Sequence, residues 1–123
     1  MWKPGRRPRL EAGMVTAETA VVLPVLLVVL AGVVAAVVVV GAQLRCVDAA
    51  REGVRAAARG EDTAAVTALA RRAAPDGATV TVSGDGEVRV TVAARITPLG
   101  PVPLRVTVTA DAVALREPDG DLP

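Results

Sequence analysis

An uncharged stretch of 26 residues, residues 19–44, limits what this chain can fold into more than any other feature. Val, Leu, Ala and Gly make up nearly all of it. A helix of about 20 apolar residues is long enough to cross the roughly 30 Å hydrocarbon core of a bilayer. The whole chain is 52% hydrophobic, with a mean hydropathy of +0.47, and this stretch supplies the excess over an ordinary small domain. The pattern predicts a hydrophobic transmembrane helix over residues 14–44.

The residues before this helix are basic. Four basic residues stand against one acidic residue, Glu11, and Pro4 and Pro8 discourage helix, so residues 1–13 are predicted to be a short disordered leader. The four are Lys3, Arg6, Arg7 and Arg9. Basic flanks stay in the cytoplasm, which predicts a single-pass protein of the cell membrane with a cytoplasmic N-terminus. The apolar run is too long for the roughly 7–15 residues of a secretory signal peptide.

The helical pattern continues past the apolar stretch. Arg51, Arg55 and Arg59 recur every four residues on what is expected to be a solvated face, with contact to an acidic partner as the alternative. Gly60 is expected to end this helix, and Asp62 or Thr63 to cap a shorter second helix. The apolar face predicted for the second helix consists of Val66, Leu69, Ala70 and Ala73.

Three later segments alternate apolar and polar residues with the period of a strand. They cover residues 79–83, 87–96 and 104–112, and Gly84-Asp85-Gly86 is predicted to be a hairpin turn, since a calcium loop would need more acidic ligands. Val113 and Leu115 fall out of phase with the third segment, which predicts a bulge or a strand end.

The strands are expected to form an antiparallel sheet with one apolar face, which must be covered. The helical residues expected to cover it are Val54, Ala57, Val66 and Leu69. The predicted fold is thus membrane-anchored α+β: a long N-terminal helix, a short second helix and a small three-stranded sheet. Residues 45–117 form the extracytoplasmic domain of this prediction, and residues 118–123 a loose tail.

Composition argues against several functions. The chain has no His, Tyr or Phe, and no nucleophile-base pair, metal cluster or phosphate loop, so neither an enzyme nor a cofactor or metal site is expected. A net charge of +1 gives no support for nucleic-acid binding. Cys46 is alone; it is expected to be a small packed residue near the membrane surface, with an intermolecular disulfide or a lipid attachment as alternatives.

The stretch "EAGMVTAETAVVLPVLLVVL" places Gly13, Met14 and Glu18 in order between the basic leader and the apolar helix. It resembles a class III signal sequence, the type that prepilin peptidases cut, and more narrowly the start of the TadE-like pseudopilins of tight-adherence (Tad/Flp, type IVb-like) pilus systems. The resemblance extends weakly through residues 47–62. It implies that Gly13 is the last leader residue, that Met14 is the first mature residue, and that Glu18 is needed for assembly.

Physical chemistry gives Glu18 a role that does not depend on the resemblance. Cutting after Gly13 would expose an ammonium group on Met14, four residues from Glu18 and on the same helix face, where the two charges could pair within one chain or between neighbours. The alternative is that Glu18 only sits hydrated in the first helical turn at the membrane interface. A lone glycine such as Gly13 also often marks nothing more than flexible chain.

Gly32 and Ala36 form a small-xxx-small pair that would let membrane helices approach closely, although such pairs also arise by chance in an Ala- and Val-rich helix. The leading hypothesis is a TadE-like minor pilin or pseudopilin whose partners are membrane lipid, a prepilin peptidase, other pilins and assembly-platform proteins. The alternative is an uncleaved single-span membrane protein with an extracytoplasmic partner-binding domain.

Overall fold

The computed structural model describes the backbone of residues 7–116 and the side chains of residues 11–116. It has the predicted α+β architecture: a long apolar N-terminal helix, a short second helix and a three-stranded antiparallel sheet. The elements in chain order are α1 (Arg7–Ala58), α2 (Thr63–Ala73), β1 (Thr79–Ser83), β2 (Glu87–Ile96) and β3 (Val106–Leu115). The residues predicted to form a loose tail lie outside the described part of the chain.

Helix α1 begins earlier than the sequence pattern indicated. It starts at Arg7, so the prediction of a disordered leader is wrong for residues 7–13, and the rest of the leader lies outside the described residues. Pro8 does not prevent this start, because the first turn of a helix has no use for its missing N–H and its fixed φ suits the helix. Pro24 lies inside α1 without ending it.

The chain divides into two compact units, Met1–Val34 and Ala35–Pro123. In the first unit every described side chain from Glu11 to Leu30 is exposed, so this part of α1 has no covering partner within the described residues of the chain. By length and composition α1 is able to cross a membrane, which makes it a candidate span.

The second unit contains the sheet, whose strands follow the order β1-β2-β3. Val90 on the central strand pairs with Val82 on one side and Ala112 on the other. The predicted hairpin turn between β1 and β2 is confirmed. Gly84 has φ of 99°, and a Cβ there would lie 1.8 Å from the Glu87 carbonyl oxygen, so no other residue fits.

Strand β3 corrects the prediction of a bulge or strand end near Val113. The pairing with β2 continues in regular register to Leu115, which lies opposite Glu87. Alternation is therefore preserved, with Ala112 and Ala114 partly buried on the inner face and Val113 and Leu115 exposed on the outer face. At this end of β3 the inner face carries alanine and the outer face carries the larger aliphatic residues.

The core of this unit is built almost entirely from Ala and Val. The largest fully buried side chains are Val66, Val90, Val92 and Cys46. The residues expected to cover the sheet do so: Val54, Ala57 and Val66 are buried, and Leu69 packs against them. Such small side chains bring the backbones of helices and sheet close together.

Gly53 marks the closest approach. A Cβ at this position would lie 2.9 Å from Cγ1 of Val90 and 3.4 Å from Cβ of Ala70, so α1, α2 and β2 meet at a residue with no side chain. The connection between the helices is also well defined. Gly60 has φ of 83°, and the Asp62 carboxylate accepts a hydrogen bond of 2.9 Å from the Ala65 N–H as the predicted N-cap of α2.

We expect Gly53→Leu to lower the free energy of unfolding by about 1–3 kcal/mol, because the added atoms have no space beside Val90. Gly41→Leu is the matched control, since a Cβ at Gly41 meets nothing within 4 Å and leucine favours a helix over glycine by up to about 1 kcal/mol. Chemical unfolding of both variants in detergent micelles, followed by circular dichroism, measures the difference. Equal stability of the two variants would show that the helix and sheet do not pack as closely as described.

Candidate functional site

The first candidate residue, Gly13, lies inside α1 on an exposed part of the helix. A Cβ added at Gly13 would meet nothing within 4 Å, so packing within the described residues does not require glycine there. The next residue, Met14, is also exposed. The bond between them is therefore accessible from solvent or from another protein, and any preference for glycine must come from a molecule that approaches this bond.

Glu18 follows one helical turn after Met14 and is exposed. Its carboxylate forms no ion pair with residues 11–116, and it borders a shallow apolar surface with Ala17, Val21 and Val22. A carboxylate in that position is favourable only while it stays hydrated or gains a cation, because a charge at the centre of a membrane helix costs roughly 2.5–3.5 kcal/mol, less near the interface.

Two hydroxyl groups close to Glu18 are satisfied by the helix itself. Thr16 Oγ1 donates to the Ala12 carbonyl oxygen at 2.8 Å, and Thr19 Oγ1 donates to the Val15 carbonyl oxygen at 2.8 Å. Such back-bonding lets a threonine enter an apolar segment without an unpaired donor. The two bonds differ in one respect: the acceptor of Thr16 lies before Gly13, whereas the acceptor of Thr19 lies after it.

The small-residue pair on the apolar segment is exposed. Gly32 and Ala36 are both accessible, and a Cβ at Gly32 would meet nothing within 4 Å. Packing within the described residues therefore does not require glycine at Gly32. The pair is therefore available to another helix, and whether one packs there stays a prediction.

The predicted solvated arginine face is confirmed. Arg51, Arg55 and Arg59 are exposed. Nη2 of Arg55 lies 3.7 Å from Oε2 of Glu52, and Nη2 of Arg59 lies 2.9 Å from Oε1 of Glu61. Exposed pairs of this kind contribute little to stability. Among the described residues no three His, Cys, Asp or Glu side chains are grouped as metal ligands.

Sequence reasoning missed two polar residues that connect the end of the apolar segment to the domain. Gln43 Nε2 donates to the Thr109 carbonyl oxygen of β3 at 3.0 Å, and Arg45 Nη2 donates to the Ala74 carbonyl oxygen at the end of α2 at 3.2 Å. The only signal in the sequence was that Gln43 and Arg45 are the first strongly polar residues after a long apolar run, which does not identify their partners.

Cys46 lies on the face of α1 that packs against the rest of the second unit, and its side chain is 0% exposed. The expectation that it is a small packed residue is therefore confirmed. A buried thiol cannot meet a second thiol or a lipid-transfer enzyme without unfolding the surrounding core.

We expect the Cys46 thiol to react with a maleimide only after denaturation, because its side chain has no accessible surface in the folded chain. The control is Arg51→Cys in a Cys46→Ala background, which places a thiol on the exposed face of the same helix. Mass spectrometry counts the labels in detergent with and without denaturant. Labelling of Cys46 in the folded protein at the rate of the control would contradict the described core.

Comparison with known proteins adds two similarities. A family profile described as "TadE-like protein" matches residues 13–55. The apoptosis inhibitor Rv3655c of Mycobacterium tuberculosis is 40% identical over 101 residues, which cover 82% of this chain and 78% of that protein. Only 55 residues of this chain precede Ala56, so the 101 matched residues must continue beyond the end of α1 into the region of α2 and the sheet. No solved structure matches the chain.

Proposed function

Because the chain belongs to the TadE-like protein family, we propose that it is a minor pilin or pseudopilin of a tight-adherence pilus system. In this proposal it is made as a membrane-held precursor and trimmed after Gly13 by a prepilin peptidase. The observation that carries the proposal is the extent of the family match, which begins at Gly13 and contains Met14, Glu18 and the whole uncharged segment. The name of the mycobacterial relative describes that protein, and the role proposed here rests instead on these residues.

The geometry around the proposed cleavage bond supports this role. The bond follows a glycine that its own chain does not need for packing, and both flanking residues are exposed. A peptide bond inside a helix must be locally unwound before a peptidase can bind it in extended form, and glycine lowers the cost of leaving the helix. Gly13 is then both the recognition residue and the point at which α1 opens.

Cleavage changes the electrostatics of Glu18. It replaces the amide N–H of Met14 by an ammonium group four residues from the carboxylate, and removes the Ala12 carbonyl that the Thr16 hydroxyl uses. The new charge offsets part of the cost of placing Glu18 at an apolar surface. When the apolar helices of several pilins lie side by side, the ammonium of one chain and the carboxylate of a neighbour fix their axial offset.

The proposed topology has the N-terminus in the cytoplasm, α1 across the cell membrane, and the helix-and-sheet domain outside the cytoplasm. It rests on the basic residues before the span and on the mixed charges after it. The role is structural, without catalysis or a cofactor in this chain. Gly32 and Ala36 serve as the contact surface for neighbouring pilin helices, and assembly-platform proteins are the further partners.

The first test is the mass of the N-terminus after expression with and without a prepilin peptidase. We expect the peptidase to remove residues 1–13 from the wild type, and to remove them from the control Gly5→Val but not from Gly13→Val. The change is also optical, because Trp2 is the only Trp and there is no Tyr or Phe, so the trimmed chain loses all tryptophan fluorescence. A wild type that stays full-length beside an active peptidase would favour the uncleaved single-span protein.

The second test concerns Glu18. We expect Glu18→Gln to be trimmed normally and to enter surface pili roughly tenfold less, since a lost contribution of about 1.4 kcal/mol corresponds to a factor of ten. Glu11→Gln is the matched control, because Glu11 is also exposed on α1 but lies before the cleavage bond. Quantitative immunoblotting of sheared pili and membranes measures incorporation, and unchanged incorporation of Glu18→Gln would remove the electrostatic part of the proposal.

A further inference from the structure

We propose that the connection between β2 and β3, residues 97–105, rests on the surface of the bilayer that α1 crosses, with Val102 and Leu104 in contact with lipid. This loop is called the β2–β3 loop below. The inference deepens the proposed function and rests on its membrane span. It is carried by four observations on the second unit: where that unit begins, where the loop lies, how its backbone is hydrogen-bonded, and which charges flank it.

The uncharged segment is longer than a membrane requires. It has 26 residues, about six more than the roughly 20 needed to cross the hydrocarbon core. Counted from Thr19, about 20 residues end at Val38. The next residue, Val39, already packs against the core of the second unit, and Ala42 is buried in it. By this count, packing of α1 against the core of the second unit begins where the hydrocarbon ends.

Two contacts show which end of the sheet lies nearer to the apolar segment. Gly53 of α1 lies against Val90, whose partner on β3 is Ala112, whereas Gln43 binds the carbonyl of Thr109. Strand β3 therefore approaches the apolar segment as its residue numbers fall. Three further residues, up to about 10 Å of strand, lead to the start of β3. The β2–β3 loop is at that end, level with the last apolar turns of α1.

The backbone of the loop suits a surface that is poor in water. Pro98, Pro101 and Pro103 have no N–H group, and prolines at these positions also keep the loop rigid. Three other N–H groups donate within the loop: Gly100 to Thr97 O at 3.3 Å, Val102 to Leu99 O at 3.2 Å, and Leu104 to Val102 O at 2.8 Å. From residue 98 to residue 104 only Leu99 is left with a donor that is not bonded in this way. Satisfied donors lower the cost of bringing this backbone against lipid.

The side chains of the loop are those of an interfacial anchor. Val102 is 48% exposed and Leu104 is 47% exposed, although both are large aliphatic residues. Arg95 and Arg105 flank the loop on the exposed surface, and no acidic residue occurs from residue 88 to residue 110. Asp76 lines the same cleft as Arg95, whereas Arg105 forms no ion pair with the described residues. Arginine beside aliphatic residues matches the phosphate and acyl layers of a bilayer surface.

These charges favour lipid over a second copy of the chain as the occupant. Two copies joined through the β2–β3 loop would bring Arg95 and Arg105 of each close to those of the other, and like charges at a contact are unfavourable. The phosphate groups of a lipid surface can instead form favourable charged hydrogen bonds with Arg95 and Arg105. The loop and α1 would then hold the domain at two points, which fixes its orientation on the membrane.

Quenching of tryptophan by lipids brominated near the top of their acyl chains tests the contact. The full-length chain, with Trp2→Phe, is reconstituted in vesicles of phosphatidylcholine and phosphatidylglycerol, and receives Val102→Trp or, independently, Leu104→Trp. The matched control is Val113→Trp, on the exposed outer face of β3 towards its other end. Leu27→Trp, at an exposed position near the middle of the apolar segment, reports the span itself and is measured with lipids brominated near the ends of their acyl chains. Circular dichroism checks that each variant is folded.

We expect the loop variants to be quenched at least about threefold more strongly than Val113→Trp, as for a group inserted into the headgroup and upper acyl region. Quenching of Leu27→Trp together with loop variants that behave like Val113→Trp would overturn the loop contact and leave the span intact. If Leu27→Trp is not quenched either, the span fails and the proposed function fails with it. A blue-shifted but unquenched tryptophan at both loop positions would indicate contact with a second copy of the chain, and would overturn the inference.

Discussion

The structure depends on one constraint: α1 carries far more apolar surface than its own chain can cover. From Glu11 to Leu30 every side chain is exposed, and the folded part of the chain begins to pack against the helix only near its later turns. Exposed apolar surface of this extent is stable only in lipid or against other apolar helices. Residues 11–30 of α1 therefore need an apolar environment that the described part of the chain does not supply. The later turns of the same helix are covered by the second unit.

Much of the fold could be predicted from local patterns. The change from helical period to a period of two separates α2 from β1, and Gly84 and Asp62 mark a turn and a cap whose chemistry is local. The failures have physical causes. Pro8 was taken as a helix breaker although the first turn tolerates it, and Val113 was taken as out of phase because large aliphatic residues were expected inside. The close contact of Gly53 with Val90 depends on residues far apart in sequence, which no local pattern reveals.

The sequence alone indicated which residues form the candidate site, but it did not identify the molecules that would bind them. Gly13, Met14 and Glu18 stand where the family profile matches, and the structure shows them exposed on one helix. Their proposed partners, a peptidase and neighbouring pilins, lie in other molecules, so neither periodicity nor packing within this chain can identify them. The same limit applies to Gly32 and Ala36. By contrast, Gln43 and Arg45 act within the chain, and their roles became visible as soon as the fold was known.

The small side chains of the core have a thermodynamic consequence. With Val as the largest fully buried side chain, unfolding the second unit exposes little apolar area for each residue. The heat capacity of unfolding scales with that area, and so does the dependence on denaturant. The stability of this unit should then change slowly with temperature, over a broad and shallow curve. A domain of this kind would keep its shape across a wide thermal range without being very stable at any point within it.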